Sequence, residues 1–258
     1  MSKRPLARAF APLLAALVAA SGSQGAEEVP EKSEDKEPTY VAPADAAKPN
    51  PGGPVPFYVP PELGSPLGRV GASTRGAGRR ASLQILAPDH LGLTTAQAPT
   101  LFWFLAQPTA TRIEVTIRDE QSTTPLVNVE LPAPATAGIH AFRLSDHGAK
   151  LRADADYQWF VSLVPEPEER SADFVVGAWI RHRDAPPALR QRLAAASQRQ
   201  TVFIYAESGM WYDAIAAIST QIDATPDNPA LRAQRAALLE QVGLSEVAAY
   251  DRRAPKAP

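Results

Sequence analysis

Seven short apolar runs with strand character follow one another between Ser82 and Arg183, and turn-forming residues separate them at short spacing. Short strands in that number, joined by frequent turns, are typical of an antiparallel sandwich of the immunoglobulin or fibronectin type. The sequence therefore predicts that residues 68–184 form an all-β sandwich domain. The predicted strands are Leu83 to Ala87, Leu101 to Ala106, Ile113 to Arg118, Leu126 to Leu131, Ile139 to Leu144, Tyr157 to Val164 and Phe174 to Ile180.

Two of these runs carry more specific signals. In the third, Ile113, Val115 and Ile117 alternate with polar or charged residues, and a period of two predicts one buried face and one solvated face. In the sixth, Tyr157 follows Leu151 by six residues and begins an alternating apolar run. That arrangement resembles the tyrosine corner, in which the tyrosine hydroxyl bonds to backbone a few residues upstream. We therefore expect Tyr157 to be structural rather than catalytic.

Residues 1–25 have the order of a secretory signal peptide. Three basic residues come first, the uncharged run from Phe10 to Ala20 follows, and small residues end the segment. The run is shorter than the roughly 20 residues that cross a bilayer as a helix, so cleavage after Ser23 or Gly25 is favoured over a retained anchor. We expect a periplasmic or secreted protein with no stable insertion in the membrane after cleavage.

Composition limits what the exported chain can bind. Three of the 26 basic residues lie in the signal segment, so its removal leaves 26 − 3 = 23 basic residues against 28 acidic ones. This acidic balance argues against a nucleic-acid partner. The chain has no cysteine, so an exported protein of this sequence must hold its core together without a disulfide.

Residues 26–67 are acidic first and then rich in proline, with the sequences PNPGGPVP and VPPELGSP. Such a segment buries too little apolar surface to offset its ordering entropy, so we predict a disordered linker. The glycine- and arginine-rich run from Gly68 to Arg80 follows. We interpret it as a flexible basic lead-in to the first strand, with anion binding as the alternative.

Residues 185–251 are rich in alanine, leucine, glutamine and arginine, which favour helix. Trp211, Ile215, Ile218 and Ile222 recur at steps of four, three and four, and therefore share one helix face. The sequence predicts a short α-helical region that packs against the sandwich or against a partner, with Trp211 in its core.

A spacing of 34 residues recurs in this region. Gly209 is followed by Gly243 and Ala214 by Ala248 at that distance, which is the tetratricopeptide period. The segment thus resembles about one and a half tetratricopeptide repeats and predicts a helical hairpin of that type. Beyond the hairpin, residues 252–258 are predicted to form a disordered tail.

The charged sequence EPEERSAD, residues 166–173, lies between the last two predicted strands. Pro165 and Pro167 end the sheet ladder, since proline has no N–H to donate. We interpret the run as a solvated turn rather than a reaction centre, because an exposed loop has no means of separating the pKa values of its carboxylates. Contact with a partner or ligand is the alternative. The candidate contact residues lie in this turn and at the end of the last strand: Glu168, Glu169, Arg170, Arg181, His182 and Arg183.

Four blocks occur in order between Val70 and Leu244, and they read GASTRGAG, APDHLGLTTAQAPTLFWFL, YQWFVSLVPEPEERSADFVVGAWI and WYDAIAAI. Together they resemble an exported bacterial family, the domain of unknown function 928. The resemblance implies an architecture and an exported location. It implies no activity and no catalytic residue.

The sequence contains no motif typical of an enzyme or a metal site. His90, His140, His147 and His182 are scattered, and none has a second ligand at zinc-motif spacing. The nucleophile elbow G-x-S-x-G does not occur after the signal segment. We therefore predict no catalytic residue, no cofactor and no metal, with a hydrolase site assembled from distant residues as an alternative.

The leading hypothesis is a non-catalytic protein-interaction or scaffold module of the cell envelope, with another envelope protein as its partner. The alternative from a different class is a sandwich that binds a glycan or a small ligand through exposed aromatic rings. That alternative requires at least two exposed rings on one face. The aromatic residues available for it are Trp103, Phe104, Tyr157, Trp159 and Trp179.

Overall fold

Apolar runs separated by turns in the sequence become β-strands in the structure. The computed structural model describes four stretches of the chain, residues 53–62, 68–71, 83–119 and 122–253. The signal peptide, most of the linker and the end of the tail lie outside these stretches and stay predictions.

All seven predicted strands are found in the described residues, together with an eighth that the sequence pattern does not predict. The additional strand has only three residues, all of them buried, so it shows no alternation. The strands are β1 Leu83–Ile85, β2 Gly92–Thr94, β3 Thr100–Leu105, β4 Arg112–Asp119, β5 Val127–Leu131, β6 Gly138–Arg143, β7 Asp156–Val164 and β8 Phe174–His182.

These eight strands form two sheets. One sheet has the order β2-β8-β7-β4-β5 and the other has the order β1-β3-β6. All neighbours are antiparallel except β2, which runs parallel to β8. Apolar side chains from both sheets meet in one core, which is the arrangement of a β-sandwich.

Strand β4 confirms the predicted alternation. Ile113, Val115 and Ile117 are buried in the core, whereas Arg118 on the opposite face is exposed. The Arg118 guanidinium lies 5.0 Å from the centre of the Phe160 ring on the outer face of the five-stranded sheet. The outer face of the five-stranded sheet therefore carries polar and cationic side chains, opposite the face that packs in the core.

Tyr157, at the start of β7, makes the predicted bond to upstream backbone. Its side chain is buried, and its hydroxyl accepts a hydrogen bond from the backbone N–H of Arg152 at 3.2 Å. The Arg152 guanidinium also pairs with Asp119 at the end of β4. Tyr157 thus fixes the entry to the central strand of the larger sheet, and its structural role is confirmed.

Helices follow the sheets, and the described part of the chain contains five of them where the sequence predicts a hairpin. The last helix ends at Arg253, two residues inside the predicted tail. None of these helices combines the length and apolar character that a bilayer crossing requires. The helices are α1 Pro187–Ala195, α2 Gln198–Glu207, α3 Trp211–Ala224, α4 Pro229–Gln241 and α5 Ser245–Arg253.

The 34-residue spacing marks two equivalent turns. Gly209 joins α2 to α3 with a φ of +74°, and Gly243 joins α4 to α5 with a φ of +75°. A left-handed backbone of this kind favours glycine, since a Cβ would clash with the following carbonyl. The two glycines spaced 34 residues apart therefore mark the turns between α2 and α3 and between α4 and α5.

Trp211 anchors α3 to the sandwich. Its side chain is fully buried, and its indole N–H donates to the carbonyl of Leu86 at 2.9 Å. Helix α3 also lies against strands β2 and β3. The predictions that the helices pack against the sandwich and that Trp211 belongs to the core are confirmed.

Tyr212 makes a second connection between α3 and the larger sheet. Its buried hydroxyl donates to the carbonyl of Trp179 and accepts from the indole N–H of Trp159, both at 2.9 Å. Gly92 makes room for the ring, because a Cβ at this position would lie 2.6 Å from it. The core of the sandwich is thus completed by residues that follow it in the chain.

A buried ion pair joins the last three helices. The Arg235 guanidinium of α4 donates to both carboxylate oxygens of Asp251 in α5, at 2.8 Å and 2.7 Å. Its third nitrogen donates to the hydroxyl of Ser219 in α3 at 3.0 Å. All its polar atoms thereby face partners in a region closed to water.

Residues 53–62 pack against the helices, although the sequence predicts disorder over residues 26–67. Tyr58 is 3% exposed, and the backbone N–H of Val59 donates to the carbonyl of Ala206 in α2 at 3.1 Å. One aromatic anchor and main-chain hydrogen bonds hold a segment that has little apolar surface of its own. The prediction of disorder is therefore wrong for these residues.

Candidate functional site

The six predicted contact residues lie at the two ends of β8. Glu168, Glu169 and Arg170 precede the strand, whereas Arg181 and the two residues after it end it. At about 3.3 Å per residue, the two groups are more than 20 Å apart along the strand. The structure therefore does not bring them together in one site.

The charged turn between β7 and β8 is an ion-paired corner. Arg170 donates to the Glu114 carboxylate at 3.2 Å and 2.7 Å, and its Nε lies 3.0 Å from Asp173. The hydrogen bond from Arg170 is the largest cause of the lowered pKa of Glu114. Glu168 and Glu169 are exposed. A carboxylate held ionised in this way is suited to structure rather than to proton transfer.

The basic residues at the other end of β8 also have structural partners. Arg181 donates to both oxygens of Asp156 at 2.5 Å and 2.7 Å, and Arg183 lies 3.3 Å from Asp154. His182 is only 1% exposed, because neighbouring backbone flanks it on both sides of the strand. The assignment of His182 as a contact residue is therefore corrected.

The aromatic rings that a glycan-binding surface would need are in the core. None of the five is more than 7% exposed, and all except Trp179 belong to the large core cluster shared by the sheets and the helices. The alternative that rests on these rings is therefore wrong. They are Trp103, Phe104, Tyr157, Trp159 and Trp179.

A cleft of about 440 Å³ opens between the two sheets where β1 lies beside the first half of β8. We call it the edge cleft. Side chains from both sheets and from the α4–α5 turn form its apolar wall, and one arginine stands at its rim. Within the described residues, these are Leu83, Ile85, Phe174, Val176 and Leu244 in the wall and Arg69 at the rim.

The edge of β1 turns main-chain groups away from its own sheet. The N–H of Leu86, directly after β1, donates to the carbonyl of Phe102 in β3. Backbone groups alternate between the two sides of a strand, so the N–H and C=O of Ile85 point away from β3. No strand of the described residues pairs with them.

The edge of β8 already holds one residue of an extended segment. Gly177 and Val70 exchange two N–H to C=O hydrogen bonds of 2.7 Å and 2.8 Å. Val175 lies two residues earlier and directs its N–H and C=O to the same side. Those groups have no partner strand in the described part of the chain.

Arg69 gives the rim of the edge cleft a positive charge. Its guanidinium donates to the carbonyl of Val242 at 2.9 Å, and its backbone N–H donates to Asp89 at 3.1 Å. Burial lowers the pKa of Arg69, and the negative charge of Asp89 opposes that shift. A ligand carboxylate bound in the edge cleft would likewise offset the cost of burying the Arg69 charge.

The described lining of the edge cleft consists mainly of apolar side chains and main-chain groups. Arg69 is the one ionisable side chain among the described residues that line the edge cleft, and a guanidinium stays protonated near neutral pH. The part of the chain that the structure describes also contains no group of three or more His, Cys, Asp or Glu side chains placed to hold a metal ion. The main chain and the apolar wall are therefore the groups a ligand would meet.

Sequence reasoning does not find the edge cleft because its parts are far apart in the chain. Arg69 and Val70 belong to the segment interpreted as a lead-in, and the remaining walls come from β1, β8 and the turn after α4. The one local feature in this segment is a basic and an apolar residue, Arg69 and Val70, between two glycines ahead of the first strand. A local pattern gives no reason to place it on the edge of the last strand.

The chain matches the family model described as Domain of Unknown Function (DUF928) over residues 70–251. It belongs to this family. The DUF928 region covers more than half of the chain and contains every strand described above, so the predicted resemblance is confirmed. No curated protein matches the chain.

Proposed function

We propose that this DUF928 protein is an exported, non-catalytic interaction module of the cell envelope that binds an extended segment of a partner protein at the edge cleft. The sandwich is proposed to be of the immunoglobulin or fibronectin type and the helix pairs to be tetratricopeptide-like. Export rests on the signal peptide predicted for residues 1–25.

The exchange of two hydrogen bonds between Val70 and Gly177 carries the proposal. It supports the proposal because one residue of the chain's own leading segment, Val70, already pairs in antiparallel fashion with the edge of β8. Strand addition of this kind takes its affinity from main-chain bonds and its specificity from pockets for alternate side chains. Within the described residues the edge cleft offers both, since no described strand pairs with the outward main-chain groups of Val175, and apolar side chains line the cleft beside it.

The other candidate contact surfaces are less suited to binding an extended segment than the edge cleft is. The arginines at both ends of β8, Arg170, Arg181 and Arg183, form ion pairs within the chain. The five aromatic rings considered for glycan binding are buried. The edge cleft differs because no strand of the described residues pairs with the outward main-chain groups of Ile85 and Val175, and apolar side chains line the space beside them.

The experiment compares Val175→Pro with Val175→Ala in chains recovered from the exported fraction of a bacterial host. Proline removes the outward N–H and leaves the bonds to β7 intact, whereas alanine shortens the side chain and keeps the N–H. Capture from envelope extract followed by quantitative mass spectrometry should recover partners with the wild type and Val175→Ala. At least a fivefold loss is expected with Val175→Pro.

Two results count against the proposal. One is recovery that does not distinguish folded Val175→Pro from Val175→Ala, which would move the contact away from this edge. The other is a chain that stays in the cytoplasmic fraction with residues 1–25 still attached, as read by intact-mass measurement.

A further inference from the structure

An extended segment, residues 54–61 with the sequence PVPFYVPP, lies along α2 and α4 and is called the strap. Half of its residues are proline, which favours an extended backbone. Pro56 and Tyr58 are buried, whereas Phe57 and Val59 are 63% and 43% exposed. The strap is therefore held at alternate residues, as a bound peptide is.

Two glutamines of α4 bind the strap through its main chain. Gln241 accepts a hydrogen bond from the Tyr58 N–H at 2.8 Å and donates one to the Pro56 carbonyl at 2.9 Å. Gln234 donates to the Pro54 carbonyl at 3.0 Å. The two glutamines are two helical turns apart, about 10 Å, which matches about three residues of extended chain. These bonds recognise an extended backbone.

The Tyr58 side chain fills a hole between the sandwich and the helices. Its ring stacks with His90 at a centroid distance of 5.8 Å and meets Trp211 edge-on at 5.0 Å. Its hydroxyl and His90 Nε2 share a hydrogen bond of 2.9 Å. Burial raises the pKa of Tyr58 and lowers the pKa of His90, so the neutral forms of both are favoured. The hole thus suits an aromatic ring with one polar tip.

Gly209 allows the strap to approach the helices closely. A Cβ at this position would lie 3.1 Å from the carbonyl oxygen of Val59, which is tighter than an ordinary contact. The neighbouring Ala206 carbonyl accepts the Val59 N–H. The turn between α2 and α3 therefore forms the far end of the groove.

We propose that this groove is a peptide-binding site for an extended, proline-flanked segment with a tyrosine anchor, and that the strap is its intramolecular ligand. The polar contacts come from the strap's main chain or from Tyr58, so the same segment in a separate molecule satisfies them equally. His90, Gln234 and Gln241 lie inside the family region 70–251, whereas the strap precedes it. The site is thus part of the domain and its ligand is separable. This inference does not depend on the edge cleft.

The test uses the full chain with Tyr58→Ala, which empties the hole, and a fluorescent peptide of residues 53–62 as the probe. Anisotropy titration should give a Kd at least tenfold lower for this variant than for the wild type, because the tethered strap competes at a millimolar effective concentration. A peptide carrying Tyr58→Ala should not bind. One carrying Tyr58→Phe should bind about fivefold more weakly, since it lacks the hydroxyl bond.

Matched acceptor variants locate the binding. Gln241→Ala in the Tyr58→Ala chain removes two main-chain bonds and should weaken binding at least tenfold. Gln158→Ala changes a glutamine on the outer sheet face and should leave the affinity unchanged. Val59→Pro is a second acceptor chain, because it removes the strap's bond to Ala206 and keeps every groove residue.

The proposal is overturned if a folded acceptor chain, either Tyr58→Ala or Val59→Pro, fails to bind the peptide at concentrations up to about a millimolar. Equal binding of the wild-type and Tyr58→Ala peptides would overturn it as well, because the anchor would then have no role. Circular dichroism and thermal melting establish that each acceptor is folded before it is titrated.

Discussion

Two arginine–carboxylate clusters in this protein differ chiefly in burial. In the helical region, the Arg235 and Asp251 side chains are 7% and 2% exposed. At the corner after β7, Arg170 is 51% exposed while Glu114 is 11% exposed. Water screens and can solvate Arg170 at the corner, and Glu114 has Arg112 as a second partner, whereas the buried helical pair has no comparable substitute.

A high density of charged residues in the sequence is therefore a poor guide to how much an ion pair contributes to the free energy of unfolding. The corner stands out in the sequence because acidic residues cluster around Arg170. Arg235 and Asp251 are 16 residues apart, in helices with other charged residues, and nothing local marks them as a pair. Burial decides their importance, and burial comes from the packing of three helices.

The largest expected effect is that of Asp251→Ala. It leaves the buried Arg235 guanidinium with only the Ser219 hydroxyl as a close partner, so the free energy of unfolding should fall by about 3–5 kcal/mol. Chemical denaturation followed by circular dichroism measures the change. Ser219→Ala is the matched control, since it removes one hydrogen bond and should cost about 1 kcal/mol.

A double variant sharpens this prediction. Replacing Arg235 and Asp251 together with leucine removes both charges and should recover part of the lost stability. A loss below about 1 kcal/mol for Asp251→Ala would contradict the comparison. It would mean that water reaches Arg235 in solution.

Asp213 extends the comparison to a carboxylate whose hydrogen-bond donors are neutral. It accepts from the backbone N–H of Thr95 at 2.8 Å and from its hydroxyl at 2.9 Å. Burial raises the pKa of Asp213 to about 6, and the hydrogen bonds from Thr95 oppose the shift. The folded protein therefore binds this proton more tightly than the unfolded chain, whose carboxyl titrates near pH 4.

The second expected effect follows from that pKa. Because the folded pKa is the higher one, the stability that Asp213 contributes should rise as pH falls through 6 and level off below about 4, by about 3 kcal/mol in total. Asp213→Asn does not titrate. Denaturation of both proteins at pH 7.5 and pH 4.5 should show the wild type gaining about 2 kcal/mol relative to the variant. A difference that is the same at both pH values would show that Asp213 is solvated.

The smallest expected effect is that of Arg170→Ala. The free energy of unfolding should change by less than about 1 kcal/mol, because Arg170 is exposed and Glu114 keeps Arg112 as a partner at 2.7 Å. The same denaturation assay measures it. A loss above about 2 kcal/mol would break the distinction between the two clusters.

Residues whose role depends on near neighbours could be predicted from the sequence. The alternation in β4 sets its buried face, and Tyr157 bonds to backbone only five residues away. The glycines at 209 and 243 mark the same left-handed turn. In each case, the geometry of one strand or one turn is enough to fix the conformation.

The parts that were missed depend on distant partners. Strand β2 has three residues and exists because β8 offers it a parallel edge. The strap is ordered because Gln241, more than 180 residues away, bonds its main chain. His182 is buried by the strand beside it, although its sequence neighbours are charged. Loop closure over such distances leaves no local signature.

Local sequence patterns were therefore enough to identify seven of the eight described strands, the helical character of the C-terminal region and the family. The tertiary structure alone decided which charges are buried, where the sandwich edge stays open and which segment fills the groove beside α4. The physical reason is range. Backbone conformation responds to side chains a few residues away, whereas desolvation and strand pairing depend on whichever surfaces the folded chain brings together.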